Sequence, residues 1–464
     1  MKRQWQAVWL VTFWMTLTLS YGPVGAAAPA DASKPRPMEL ADVLAWKSIN
    51  PAVVSNDGRW FAYRLVPAVG DSEVVVRQTQ TEKAYRFPVG SSSGQATLAF
   101  SDNSAWLAFS VAPTAKELAQ LKKQKKPAQT SVRLLNLATG LDMRVDKVRR
   151  VAFSGEQSTW VALQKYGPDA AAGDAPKGAD LILRELSTGA ELNVGNVSEF
   201  AFDKSGRWLA WIIDAQDQTG NGVELRNMDT GQVRPLDTAT ASYARLTWTD
   251  KGDAFAVLRG TDDKRYTDKL YTVVAIRSLR SATPQKTTYD PAGDKAFPEG
   301  MSISPNDSPT WTDDLSGLLF GIRTLKTAPA KPGEKPDATT DGDAQKPDLV
   351  IWHHLDARLP TEQQVQEQAD KNFSFLSLYR VNEKRFVRLA DESLRTVTPA
   401  PKGRWAIGID VREYERMASL DGRPYQDVYR VDLETGARTL AVKKMLSFAL
   451  CPLCLQPSAD GGRF

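Results

Sequence analysis

The sequence predicts an all-β protein, a β-propeller of seven to eight four-stranded blades whose last blade is incomplete. Two observations carry this. A ten-residue phrase recurs along the 464-residue chain, and a second phrase follows most copies at a near-constant distance. Self-similarity at roughly 45 to 60 residues, with four strands per unit, is the signature of propeller blades.

The first phrase reads Val54-Ser55-Asn56-Asp57-Gly58-Arg59-Trp60-Phe61-Ala62-Tyr63 and returns from Phe202 to Trp211. Looser copies run from Phe100 to Phe109, Phe153 to Ala162, Trp248 to Val257, Trp311 to Phe320 and Pro399 to Ile407. Each is a strand, a tight polar turn and a second strand. Asp and Ser cap their own backbone in such a turn, and Gly supplies a positive φ. After the turn the residues alternate, with Trp60 and Ala62 on one face and Phe61 and Tyr63 on the other. Both faces are apolar, as expected of a strand packed between two neighbouring sheets.

The second phrase includes Leu134 to Gly140, Leu183 to Gly189, Leu225 to Gly231 and Tyr429 to Gly436. It is a strand running into a hairpin closed by Thr-Gly. Two hairpins per unit make a four-stranded blade. Residues Pro457 to Phe464 resemble an eighth copy that stops mid-phrase, which predicts a chain ending inside a blade.

Around this ring the sequence predicts a signal peptide at 1–30, a lead-in helix within 31–50 and the propeller at 51–464. Lys2 and Arg3 precede an apolar run, and small residues from Gly25 to Ala30 offer cleavage sites. The run is short for a membrane span. No Cys lies near the cleavage region, which argues against a lipoprotein. The mature chain is expected to be periplasmic or secreted, with no membrane attachment after cleavage. A formal net charge of +4 implies no general attraction to nucleic acid.

Three segments interrupt the rhythm. Lys116 to Lys126 reads as a solvated helix or loop, 327–348 as a disordered insertion, and 360–372 as an inserted helix before the strand Phe375 to Val381. Loops this long often serve function or contact a neighbouring domain.

Candidate chemistry is sparse. Gly90-Ser91-Ser92-Ser93-Gly94 matches Gly-x-Ser-x-Gly, but a nucleophile elbow needs a helix after it, and Gln95 to Phe100 reads as the next strand. It reads as a hairpin loop. A Ser-His-Asp triad needs a histidine base. The two histidines, His353 and His354, are adjacent after the expected strand Leu349 to Trp352, and neither pairs with a Ser-bearing elbow. Neighbouring strand residues face opposite ways, which disfavours a joint metal site. Cys451 and Cys454 have no second Cys pair for zinc, and an oxidising compartment would let them close a local disulfide. No catalytic, cofactor-binding or metal residue is assigned.

The repeat in an exported chain resembles two families, the TolB-like propellers, which bind protein partners, and the prolyl oligopeptidase family of serine peptidases. Met38 to Ile49 leading into Pro51 to Gly58, and the block Asp348 to Pro360 with its Gln-rich helix, look more like the second. That resemblance spans about residues 38 to 440. It implies a non-catalytic propeller that gates and docks peptide substrates for a C-terminal α/β-hydrolase domain. The family's catalytic Ser, Asp and His lie in that domain, and no counterpart occurs in this sequence. The Glu-Glu pair with which dipeptidyl peptidases hold a substrate amino terminus is also missing. The alternative implied is a stand-alone TolB-like propeller that binds a protein partner in the periplasm.

Overall fold

A computed structural model describes residues 37–91, 96–167, 178–281, 283–328, 352–401 and 403–447. The expected signal peptide, most of the 327–348 insertion, Ser92, the strand at 349–351, Cys451, Cys454 and the eighth phrase lie outside the described residues.

The described strands form seven blades in chain order. After the short helix α1 (Leu40–Ala45), blade 1 comprises β1 (Lys47–Val54), β2 (Trp60–Pro67), β3 (Ser72–Gln78) and β4 (Ala84–Gly90). Blade 2 has β5 (Leu98–Phe100), β6 (Trp106–Val111), β7 (Ser131–Asn136) and β8 (Asp142–Val145), with α2 (Ala115–Lys123) between β6 and β7. Blade 3 starts with β9 (Val148–Phe153), β10 (Trp160–Lys165) and β11 (Ala179–Glu185).

The next strand, β12 (Glu191–Phe202), belongs to two blades. Its first half pairs with β11 as the outer strand of blade 3, and its second half pairs with β13 (Trp208–Ile213) as the inner strand of blade 4. Blade 4 continues with β14 (Gly222–Asn227) and β15 (Val233–Thr238). Blades 3 and 4 are therefore one seven-stranded sheet.

Blade 5 is β16 (Ser242–Trp248), β17 (Ala254–Thr261), β18 (Leu270–Arg277) and β19 (Gln285–Tyr289). In blade 6 the inner strand is split into β20 (Met301–Ile303) and β21 (Thr310–Trp311), both paired with β22 (Gly317–Thr324). Helix α3 (Pro360–Lys371) precedes β23 (Phe375–Arg380) and β24 (Arg385–Arg388). Blade 7 is β25 (Thr396–Pro399), β26 (Trp405–Asp410), β27 (Tyr425–Asp432) and β28 (Arg438–Leu446), with α4 (Glu415–Asp421) between β26 and β27.

The alternation in the repeat is what builds the ring. Leu107 and Phe109 pack back onto blade 1 with Trp60 and Ala62, while Ala108 packs forward with Val161 and Leu163 of blade 3. Six such buried clusters join successive blades from 1 to 7. Each fully buried Leu, Val or Phe there contributes about 1.5–3 kcal/mol.

Among the described residues no buried cluster joins blade 7 to blade 1. Phe61 and Tyr63 occupy the positions that are fully buried as Leu209 and Trp211 in blade 4, yet both stay half-buried. On blade 7, Ala406 packs against blade 6, so Ile407 faces the other way and is also half-buried.

One sequence reading changes. The stretch from Gly90 is no hairpin loop: Gly90 ends the outer strand of blade 1, and the chain then crosses to the inner strand of blade 2. In blade 6, β22 ends at Thr324, and Thr327 makes an isolated bridge to Tyr266.

Candidate docking face

A four-stranded meander puts its first and third turns on one rim of the ring and its second turn and blade-to-blade crossing on the other. The first rim carries both repeated phrases, and their polar groups are spent on backbone. Ser55 Oγ donates to Asp57 Oδ1 (2.6 Å) and accepts from the Trp60 amide (2.9 Å), while Asp57 accepts from the Arg59 amide (3.0 Å). These bonds hold the Asp57 carboxyl below the usual carboxylate range, with the Ser55 hydroxyl the largest cause. Asp203 serves the same purpose, accepting from the Trp208 amide at 2.7 Å.

This turn rim also ties blade to blade. Asn56 Nδ2 donates to the Asp102 carbonyl (3.0 Å), and the Glu156 amide to the Lys204 carbonyl (2.9 Å). The approach is closest at Gly206, where φ is +80° and a Cβ would lie 2.0 Å from the Ser154 carbonyl oxygen. A cleft of about 760 Å³ between blades 6 and 7 opens on this side, beside Trp311, Asp314, Arg380, Arg404 and Glu434. Two of its arginines are already paired, Arg380 with Glu383 and Arg404 with Asp432 and Glu434.

The opposite rim carries the insertions: α2, α3 and α4 all lie between the second and third strands of their blades. The lead-in α1 arrives there, and β28 runs back to it. Helix α2 is closed by a capping box between Thr114 and Glu117, and its Ala115 amide donates to Asp71 (2.7 Å). Arg358 contacts Asp370 at the end of α3 (2.8 Å) and Glu415 of α4 (3.4 Å), and Ser419 Oγ donates to Glu362 (3.1 Å). The insertions of blades 6 and 7 thus form one platform. α4 was not foreseen, although the sequence from Val411 to Arg423 lacks the alternation of a strand.

Large apolar side chains stand exposed on this rim. Leu40 and Leu44 of α1 are in the open, as is Trp46, 60% exposed. On the platform Val365 (84%), Met417 and Leu420 (65%) project into solvent, and Trp352 and Leu355 of the blade 6 insertion are exposed as well. Large apolar side chains left exposed on a rim make it a candidate interaction surface.

The candidate catalytic residues do not assemble. The His353 amide donates to Asp356 (3.0 Å), and His353 Nδ1 accepts from the Leu355 amide (3.2 Å), which ties that nitrogen to a local turn. The two imidazoles lie 4.3 Å apart, exposed, in the insertion of blade 6. Gly90 lies between blades 1 and 2. Among the described residues no three His, Cys, Asp or Glu side chains gather as metal ligands, and no helix is long and apolar enough to cross a membrane.

No protein-family model matches the sequence, and no curated protein aligns with it significantly. Solved structures do align. Prolyl endopeptidases match over 87% of this chain and 51% of theirs, at 11% identity and a TM-score of 0.37. The tricorn protease matches over 85% of this chain and 34% of its own, at 9% identity and a TM-score of 0.34. The β-propeller domain of the Trilobed protease from Pyrococcus furiosus matches over 86% of this chain and 98% of its own, at 7% identity and a TM-score of 0.33. This chain spans about half the length of the prolyl endopeptidase it matches.

Proposed function

We propose that this chain is the non-catalytic propeller region of an exported, prolyl-oligopeptidase-like serine peptidase, gating and docking peptides for an α/β-hydrolase domain seated on the insertion rim. The observation that carries the reading is the apolar surface on that rim, at the end of the ring where α1 arrives and β28 returns. A domain docked there would cover Leu44, Trp46, Met417 and Leu420, which water otherwise solvates at a cost of about 25 cal/mol per Å². The sequence resemblance supports the same assignment. A peptide would reach the hydrolase site across this rim or along the ring's axis, so the ring would act as a size filter.

The test uses the native gene in its own cell. An antibody raised against the propeller is combined with a fluorophosphonate probe. An immunoreactive, probe-labelled band well above 51.1 kDa in the periplasmic or secreted fraction is the expected result. An unlabelled band at or below that mass would replace this reading with a stand-alone propeller that binds a protein partner.

A further inference from the structure

The inner strands carry a feature that neither the repeat nor the docking rim requires. Four of them are bulged at nearly the same height. The extra residue falls at Asn50–Pro51 in β1, Arg149 in β9, Ser198 in β12 and Arg245–Leu246 in β16. The sites lie opposite Arg64, between Gln164 and Lys165, between Ile212 and Ile213, and opposite Val257. First strands touch from blade 3 to blade 5, β9 with β12 and β12 with β16, so the bulges of these three blades form a belt on the inner strands. A bulge leaves a residue unpaired and re-aims its side chain, and bulges recur beside functional sites.

Three consecutive blades place charge on this belt. Arg149 and Arg150 are adjacent and exposed on β9. Neither side chain donates a hydrogen bond or joins an ion pair among the described residues. Arg150 is held over the Phe200 ring, 4.7 Å from its centroid. Burial lowers its affinity for its proton, Glu199 counters this, and Arg149 adds to it. Glu199 accepts the Leu246 amide freed by the bulge in β16 (3.1 Å). Arg245 is left-handed, with φ +64°, and its Nε donates to the Pro305 carbonyl (2.6 Å). Strain of this kind in a non-glycine residue costs about 1–3 kcal/mol and persists where its surroundings impose it. The Ser198 hydroxyl is buried without a partner.

We infer that this belt binds a carboxylate-bearing ligand, an acidic peptide segment lying at the axis of the ring, with Arg149 and Arg150 as its anchors. Two neighbouring guanidiniums that donate no hydrogen bond to the protein repel each other, and a carboxylate between them relieves that repulsion through charge-assisted hydrogen bonds. The nearby Glu199 matches the pair to a singly charged carboxylate better than to a doubly charged phosphate. The site needs only the ring and stands independently of the peptidase reading.

The test is fluorescence anisotropy on the full chain with labelled peptides. Hexaglutamate blocked at both ends is compared with blocked hexaglutamine, and with hexaglutamine bearing a free C-terminal carboxylate. Side-chain recognition predicts that only hexaglutamate binds, and that R149Q/R150Q weakens it at least tenfold at low salt. E199Q keeps the acceptor for Leu246 and is expected to strengthen binding several-fold, an outcome that does not depend on how the arginine variant folds. Binding by the free-terminus hexaglutamine alone would move the site's ligand to a peptide end and overturn the acidic-segment assignment. Equal binding of the blocked glutamine peptide, or unchanged affinity in both variants, would overturn the site itself.

Discussion

Arg438 on the outer strand of blade 7 reaches the Asp391 carboxylate in the crossing from blade 6, with Nη1 2.9 Å from Oδ1. The same guanidinium donates to Ser393 Oγ (2.8 Å) and to the Leu389 carbonyl (2.9 Å). One side chain therefore latches the last two blades. Burial opposes the charge on Asp391, but the bonds from Arg438 and Ser393 outweigh it and hold the carboxyl well below its usual range. Asp391→Asn should lower stability by about 1–3 kcal/mol, since it removes a charged partner from a part-buried pair. The sign with pH follows from the depressed value. The contribution is complete above the unfolded pKa of about 4 and is lost as pH falls toward the folded one. Melts at pH 7 and pH 3 should show the gap between wild type and Asp391→Asn closing in acid.

Equivalent repeat positions should differ in cost according to their seam. Phe255→Ala empties a fully buried site between blades 4 and 5 and should cost about 3–5 kcal/mol. Phe61→Ala, on the face of blade 1 that no described blade covers, should cost about 1 kcal/mol. Denaturant titrations of both variants decide. Equal losses would mean that something covers Phe61 in solution.

Two turn glycines offer a paired test of close approach. Gly58 has φ +69° and open space where a Cβ would stand, so Gly58→Ala should cost about 1 kcal/mol from backbone strain alone. Gly206→Ala adds a clash with the Ser154 carbonyl and must push blades 3 and 4 apart locally. It should cost more than its counterpart by at least about 1 kcal/mol. Thermal melts compare them directly.

The chain by itself should not react with a fluorophosphonate probe. Gly90, which opens the motif, ends strand β4, and His353 Nδ1 is tied to its own turn. Labelling of the purified chain that Ser92→Ala abolishes would contradict this.

Export is a further expectation. N-terminal sequencing of the secreted or periplasmic protein should find a start between about Ala26 and Ala30, following the signal-peptide pattern.

The ring was legible because its logic is local. A Ser-x-Asp-Gly turn and a two-residue alternation are written into each copy, and the structure places Trp60 and Ala62 against blade 2 as that alternation requires. What escaped is what depends on neighbours. The sharing of β12 by two blades turns on the conformation of Asn196, at φ +58°, with Val197 paired to both sides. The bulges at Arg149 and Ser198 leave the residue pattern intact and alter only the register. The apolar rim was equally hidden, because exposed Leu and Met on α4 read in sequence like any core residue.

The unbroken β12 has a mechanical consequence. With no loop between them, blades 3 and 4 flex as one stiff plate, while the far side of the circle lacks a buried seam among the described residues. The expectation is that thermal deformation concentrates opposite the plate, between blades 7 and 1, while the doubled sector keeps its shape. A spin label on blade 1 and another on blade 7 should report a broad distance distribution, and a pair on blades 3 and 4 a narrow one.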